Sequence, residues 1–234
     1  MDKSNRVFES VLCQGPWNRI KNDAGDFLKY VDRGLYAGGT FYRTVRPDDD
    51  PKPVKIEVVQ GGLTDDGKFL APIAHEPTNH TGLRHRNGTI SIARNEVGTG
   101  GAGAFFICIG DQPELDFGGK RNPDGQGFAA FGHVTSGMKL IREIGALKTQ
   151  GPPGSPGGEL IASPVRILGA HRVPHEQRQQ IQCIVRLEAP PALPHAFPGR
   201  DFGIVRFRQK ATGDHRRAGE NSGADRPITR PGFV

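Results

Sequence analysis

Cysteine is scarce and scattered: Cys13, Cys108 and Cys183 are the three in the chain. The odd number, the wide spacing and the lack of any CxxC argue against a disulfide framework or a thiolate zinc site, and for a reducing compartment. Long apolar runs are missing too. None approaches the roughly 20 residues that a membrane-spanning helix needs. The first 20 residues lack a charged start followed by an apolar block, so no secretory signal is expected and the cytoplasm is the default location. A one-signed surface is lacking over most of the chain. The net charge is +6, but from Pro174 onward ten Lys/Arg stand against six Asp/Glu, which leaves residues 1–173 at only +2. That balance argues against a nucleic-acid surface on the body and confines any such role to the C-terminal segment.

What the chain has in quantity is glycine, 33 residues, together with 19 prolines. This punctuation favours many short strands over long helices. Between residues 23 and 173 the pattern is coherent. Asp23 is a candidate N-cap for a helix that carries Phe27, Leu28, Val31 and Leu35 on one side, with Gly34 as a C-cap. "GGTFYRTV", "KIEVVQGG", "GTISIAR", "AFFICI", "FAAFGHV" and "PVRILGAHRV" read as strands bounded by turn residues. A second helix is predicted over Ser136–Ile144. The expected fold class is mainly β, an antiparallel barrel closed so that no strand edge is exposed, with helices over its ends. Residues 1–22 stand apart. "RVFESVLCQ" could form a strand, but "QGPWNRIKND" breaks the pattern with Gly and Pro. Residues 174–234, rich in Arg, Pro and Gly with few apolar positions, are expected to be disordered.

The stretch "GTGGAGAFFICIG" (residues 98–110) invites a phosphate-binding reading. A P-loop, however, requires a Lys and a hydroxyl after the glycines, and Ala104-Phe105 stands there. The β-branched and aromatic run that follows is a strand. Neighbouring strand residues face opposite ways, so one of Phe105 and Phe106 is expected in the core and the other on the opposite face. His75, His80 and His85 recur every five residues, a spacing that suits neither a helix face nor a usual metal site. The charged residues of "DFGGKRNPDG" are expected in a solvated turn.

Taken in order, "TFYRTV", "VVQGG", "NHTGLRHRNGTISIAR", "GGAGAFFICIG", "LDFGGKRNPDGQGFAAFGHVTSGMKLIREI" and "SPVRI" resemble the cyclophilins, bacterial ones above all. The resemblance covers residues 23–173 and implies an eight-stranded antiparallel barrel capped by two α-helices. It implies a cofactor-free, metal-free peptidyl-prolyl cis-trans isomerase that acts on proline-containing polypeptide clients, as a monomer and away from membranes. Carried over by motif, Arg43 matches the catalytic arginine and Gln60 the glutamine that anchors the substrate backbone. Phe106 matches the floor of the proline pocket and Val58 an apolar wall. Ala93 matches a small residue under the substrate backbone, and Phe128 stands where many members have histidine.

The match has gaps. Glu57 falls where an aromatic pocket residue is usual, Ala104 replaces a glutamine and Arg94 an asparagine. An insertion, "TVRPDDDPKPVKIEVV", separates Arg43 from Gln60. Family members open with a hairpin that residues 1–22 do not show, which predicts a barrel whose first strands are missing. Two further readings therefore stand beside the isomerase: a non-catalytic module that binds proline peptides, and an incompletely folded, inactive relative.

Overall fold

Alternation with period two organises the chain more than any helix does. The computed structural model describes residues 8–14, 22–155, 157–173 and 182–188. In chain order these form β1 (Phe8–Gln14), α1 (Asp23–Asp32), β2 (Thr40–Val45), β3 (Val58–Gly62), the one-turn α2 (Thr78–Thr81) and β4 (Thr89–Ile92). They continue with β5 (Ala104–Cys108), β6 (Ala130–Ser136), α3 (Met138–Gly145), β7 (Leu160–Val173) and β8 (Gln182–Glu188). All pairings are antiparallel, and the ring runs β1-β6-β4-β5-β3-β2-β7-β8. Because β8 pairs back onto β1, the barrel closes and its edges disappear.

One strand of the N-terminal hairpin expected to be missing is present, and a strand from the C-terminal segment completes the ring. β1 occupies the "FESVLCQ" part of the N-terminal segment, and pairs with β6 as well as β8. The segment expected to be disordered from residue 174 also gives up seven residues to the barrel as β8. Its "CIVRL" is an apolar run within that segment: Val185 and Leu187, two apart, both turn into the interior, and the strand pairs with β7 over most of its length. The rest of both terminal segments lies outside the described residues. No helix among the described residues is long and apolar enough to cross a membrane.

The interior is filled by one face of each strand and sealed by the helices. From β5, Phe105 and Ile107 turn inward with Val59, Ile90, Ile92 and Phe131. α1 lies against β6 and β7 and adds Phe27, Leu28 and Val31. α3 lies against β1, β2 and β3 and adds Leu140, Ile141 and Ile144. Phe105 meets Phe27, Tyr36 and Phe41 edge to face, at 6.1, 5.7 and 5.8 Å between ring centres. Contacts of this geometry add about 0.5–1.5 kcal/mol each beyond simple burial. The glycines before β5 have a packing reason. A Cβ on Gly103 would stand 2.6 Å from the Phe69 ring and 2.9 Å from the Tyr30 hydroxyl, so the strand enters only if that residue has no side chain.

Asn22 rather than Asp23 occupies the cap position of α1, which leaves Asp23 as the first helical residue and almost wholly buried. Burial, with the Glu76 carboxylate beside it, pushes the Asp23 carboxyl up from 3.8 to about 8. The folded protein thus holds this proton more tightly than the unfolded chain does. The stability contributed is complete below about pH 4 and is lost as the pH climbs through about 8. Asp23→Asn, which cannot ionise, should therefore raise Tm relative to wild type at pH 8 more than at pH 4. Parallel pH–Tm profiles for the two proteins would refute this.

Candidate active site

A bulge decides which way Arg43 points. On β2, Phe41 pairs with Gly61 and Arg43 with Gln60, so Tyr42 is an extra residue. In a regular strand, residues 41 and 43 would share a face. Here Phe41 joins the interior, while Arg43 reaches Gln60 on the outside of the barrel. An inserted residue re-aims side chains in this way. Strand register then builds a row across the outer face: Arg43 opposite Gln60, Gln60 opposite Phe106, and Phe106 opposite Ser91.

The guanidinium is held on two sides. Arg43 Nη1 donates to Gln60 Oε1 at 2.8 Å, and Nε and Nη2 donate to Glu159 Oε2 at 3.1 and 2.6 Å. Gln60 is oriented in turn, since its Nε2 donates to the Tyr42 hydroxyl at 2.9 Å. Arg43 is only 2% exposed. Burial lowers its pKa, the Glu159 carboxylate pushes back, and nearby Arg121 lowers it further. The arginine still stays cationic, because its starting value is so high.

Beside this row lies a second apolar cluster, separate from the interior. Val58, Ala93, Ala104, Phe106, Cys108 and Phe128 belong to it, with Val45, Ile56 and Leu115. Phe106 meets Phe128 edge to face at 5.3 Å. All six residues assigned by motif (Arg43, Gln60, Phe106, Val58, Ala93 and Phe128) are thus gathered on one outer face of β2, β3, β5 and β4 and the loop after β5. The cluster is packed shut: none of its members is more than 1% exposed.

Three neighbours maintain this face. Arg94, the residue in the asparagine's place, clamps the loop that delivers Phe128. Its Nε and Nη2 donate to the Gly127 carbonyl at 2.9 and 2.6 Å, its Nη1 pairs with Asp124 at 2.7 Å, and its guanidinium lies over the Phe128 ring. Gly127 has φ +62°, and a Cβ there would fall 2.5 Å from the Asp116 backbone, so the loop closes only on glycine. His85 stacks on Phe106 and links Asp116 (2.8 Å from Nδ1) to Ser91 (3.0 Å from Nε2). Burial lowers the His85 pKa against the pull of Asp116. Ile56 supplies the wall that Glu57 was expected to lack. Ile56 and Val58, two apart, both pack into the cluster.

Sequence reasoning missed Glu159, Ile56, Leu115 and Tyr42. Ile56 was legible in the spacing Ile56-x-Val58-x-Gln60. Glu159, 116 positions from its partner, left no signal. The expected solvated turn after β5 is instead partly buried, with Asp116 5% and Arg121 3% exposed. The reason is that both charges have partners inside: His85 for Asp116, and Asp50 of the insertion for Arg121 at 2.5 Å. Among the described residues, no group of three or more His, Cys, Asp or Glu is arranged to hold a metal ion.

Known proteins carry the same arrangement of sequence. The model of the family described as cyclophilin type peptidyl-prolyl cis-trans isomerase/CLD matches residues 17–172. A peptidyl-prolyl cis-trans isomerase of Streptomyces antibioticus is 33% identical over 150 residues, 62% of this chain and 84% of its own. Peptidyl-prolyl cis-trans isomerase A of Dickeya dadantii is 33% identical over 128 residues, 53% of this chain and 60% of its own. The Escherichia coli isomerase B is 28% identical over 53% of this chain and 71% of its own. A solved cyclophilin type isomerase of Cryptosporidium parvum, determined in the presence of the dipeptide Ala-Pro, superposes with TM-score 0.46 and 17% identity. It covers 64% of this chain and 87% of its own.

Proposed function

The chain belongs to the cyclophilin-type peptidyl-prolyl cis-trans isomerase family, and we propose that it turns X–Pro bonds by presenting the Arg43 guanidinium to the proline nitrogen. The observation that carries this is the geometry of Arg43: buried, fixed by Gln60 and Glu159, and next to an apolar cluster floored by Phe106.

The chemistry asks for no covalent step. Amide resonance sets a rotational barrier of about 18–20 kcal/mol. In the twisted state that resonance is broken, and the proline nitrogen regains a lone pair. A cationic donor aimed at the nitrogen stabilises the twisted amide more than the planar one, so it lowers the barrier and not merely KM. Burial strengthens the effect, because water competes less for the charge. Gln60, beside Arg43, accounts for a hold on the substrate backbone, and Ala93 allows that backbone to come close. Proline-containing polypeptides are the substrates in this reading. The closed cluster must part to admit the proline ring, with Val58, Phe106, Leu115 and Phe128 lining the space it enters.

The test is exchange spectroscopy by NMR on an unstructured peptide with one X–Pro bond and no coupling protease. Uncatalysed exchange takes tens to hundreds of seconds. Substoichiometric protein is expected to bring exchange below about one second. Peptide shifts that titrate without faster exchange would establish a binding module and overturn the isomerase reading.

A further inference from the structure

Arg43 sits among like charges. Burial lowers the pKa of the half-buried Lys52, and Arg121 and then Arg43 lower it further; Arg121 acts on Arg43 in the same sense. Two carboxylates lie in this cluster. Asp50 pairs with Arg121 at 2.5 Å and also accepts the Lys52 backbone N–H at 3.0 Å. Glu159 pairs with Arg43, its side chain 15% exposed. Its Oε2 accepts from both Nε and Nη2, whereas its buried Oε1 has no hydrogen-bond partner among the described residues. The Glu159 backbone is fixed as well, because Thr44, next to Arg43 on β2, donates its N–H to the Glu159 carbonyl at 2.9 Å. A carboxylate tied to the arginine's own strand, and bonded along the Nε–Nη2 edge, sets the plane in which the guanidinium lies.

We infer that Glu159 is a positioning residue for the isomerase reaction, holding the Arg43 guanidinium against repulsion from Lys52 and Arg121 in the orientation that meets the proline nitrogen. The inference rests on the reading of Arg43 given above. It goes beyond supplying charge balance: without the carboxylate the guanidinium, still charged, loses the two bonds along its Nε–Nη2 edge that fix its plane. A displacement of 1 Å in such a group costs about 10²-fold in rate.

Glu159→Gln keeps the shape and an acceptor oxygen but removes the charge. Its kcat is expected to fall about 10- to 100-fold, with KM within about twofold of wild type. Adding Lys52→Met to Glu159→Gln should recover several-fold, since the repulsion it relieves is the cause of the loss. A second readout needs no turnover: the Arg43 Nε–H resonance, protected from water exchange in the wild type, should exchange faster in Glu159→Gln. Should Glu159→Gln fail to fold, Glu159→Asp decides instead, as it keeps the charge one methylene short. Lower kcat at wild-type Tm supports positioning; unchanged kcat overturns it. Arg43→Ala is assayed in parallel. Wild-type kcat in Glu159→Gln beside an Arg43→Ala that is folded by thermal melt yet inactive overturns the role of Glu159 and leaves Arg43 in place. Wild-type rates in Arg43→Ala overturn both. A faster Glu159→Gln also overturns positioning, since the carboxylate would then be restraining the arginine.

Discussion

Arg43→Lys is expected to lose about 10²- to 10³-fold in kcat/KM, the usual cost of removing one aimed donor from a transition state, while the barrel stays folded. The substitution keeps a cation beside Glu159, so the partly buried carboxylate is not left alone. It removes the planar fork that lets one residue reach Glu159 through Nε and Nη2 and Gln60 through Nη1 at once. An ammonium drawn to Glu159 Oε2 has no reason to stay aimed at a substrate nitrogen. Arg43→Ala is a blunter probe. It leaves the partly buried Glu159 without its cation, a loss that counts against a total stability of only about 5–15 kcal/mol. Lost activity in that variant therefore mixes chemistry with unfolding. Peptide exchange by NMR, measured with a thermal melt on each variant, separates the two. Arg43→Lys at wild-type rate and wild-type Tm would remove Arg43 from the mechanism.

Much of this site could be read from the chain because it is built on strands with a simple period. In "AFFICI" the alternation puts Phe105 and Phe106 on opposite faces, the family resemblance says which is which, and the structure has Phe105 in the interior and Phe106 in the outer cluster. The turn residues likewise marked that β2 to β7 exist and in what order, although β7 starts four residues earlier than its "PVRILGAHRV" and β3 and β6 start two or three residues later than read. What could not be read depended on partners far apart in sequence. Arg43 reaches the outer face through a bulge at Tyr42, and nothing in "TFYRTV" distinguishes a bulged strand from a regular one. The ion pairs Arg43–Glu159 and Arg121–Asp50 join residues separated by long stretches of chain. Charged residues in loops are usually solvated, so a local reading of "DFGGKRNPDG" pointed outward. β1 and β8 were obscured for another reason. Each lies in a segment whose overall composition is poor in apolar residues, and a strand of seven needs only a few of them on one face.

Asp50→Ala is expected to cost about 3–5 kcal/mol of stability, one of the largest losses from any single charged residue in the barrel. The size of the effect turns on burial. An exposed ion pair is worth about 0–1 kcal/mol, but the side chains of Asp50 and Arg121 are 0% and 1% exposed. Arg121 Nη1 spans both Asp50 Oδ2 at 2.5 Å and the Val54 carbonyl at 2.6 Å, and Asp50 also accepts the Ile56 N–H at 3.4 Å. The pair therefore fastens the insertion between β2 and β3 to the loop that carries Leu115 and Phe128, and sets Ile56 against the apolar cluster. Removing the carboxylate strands a guanidinium where water cannot reach it. Removing both charges does not, so Asp50→Leu with Arg121→Met should regain most of the loss. Urea unfolding of the single and double variants gives the comparison directly. A loss below about 1 kcal/mol for Asp50→Ala would mean that the insertion opens to solvent in the folded state. If the double variant regains stability yet binds proline peptides more weakly, the insertion has a second role. It then keeps the walls of the proline pocket at the spacing that Phe106 requires, which is why a buried ion pair stands where an apolar contact would have stabilised the fold as well.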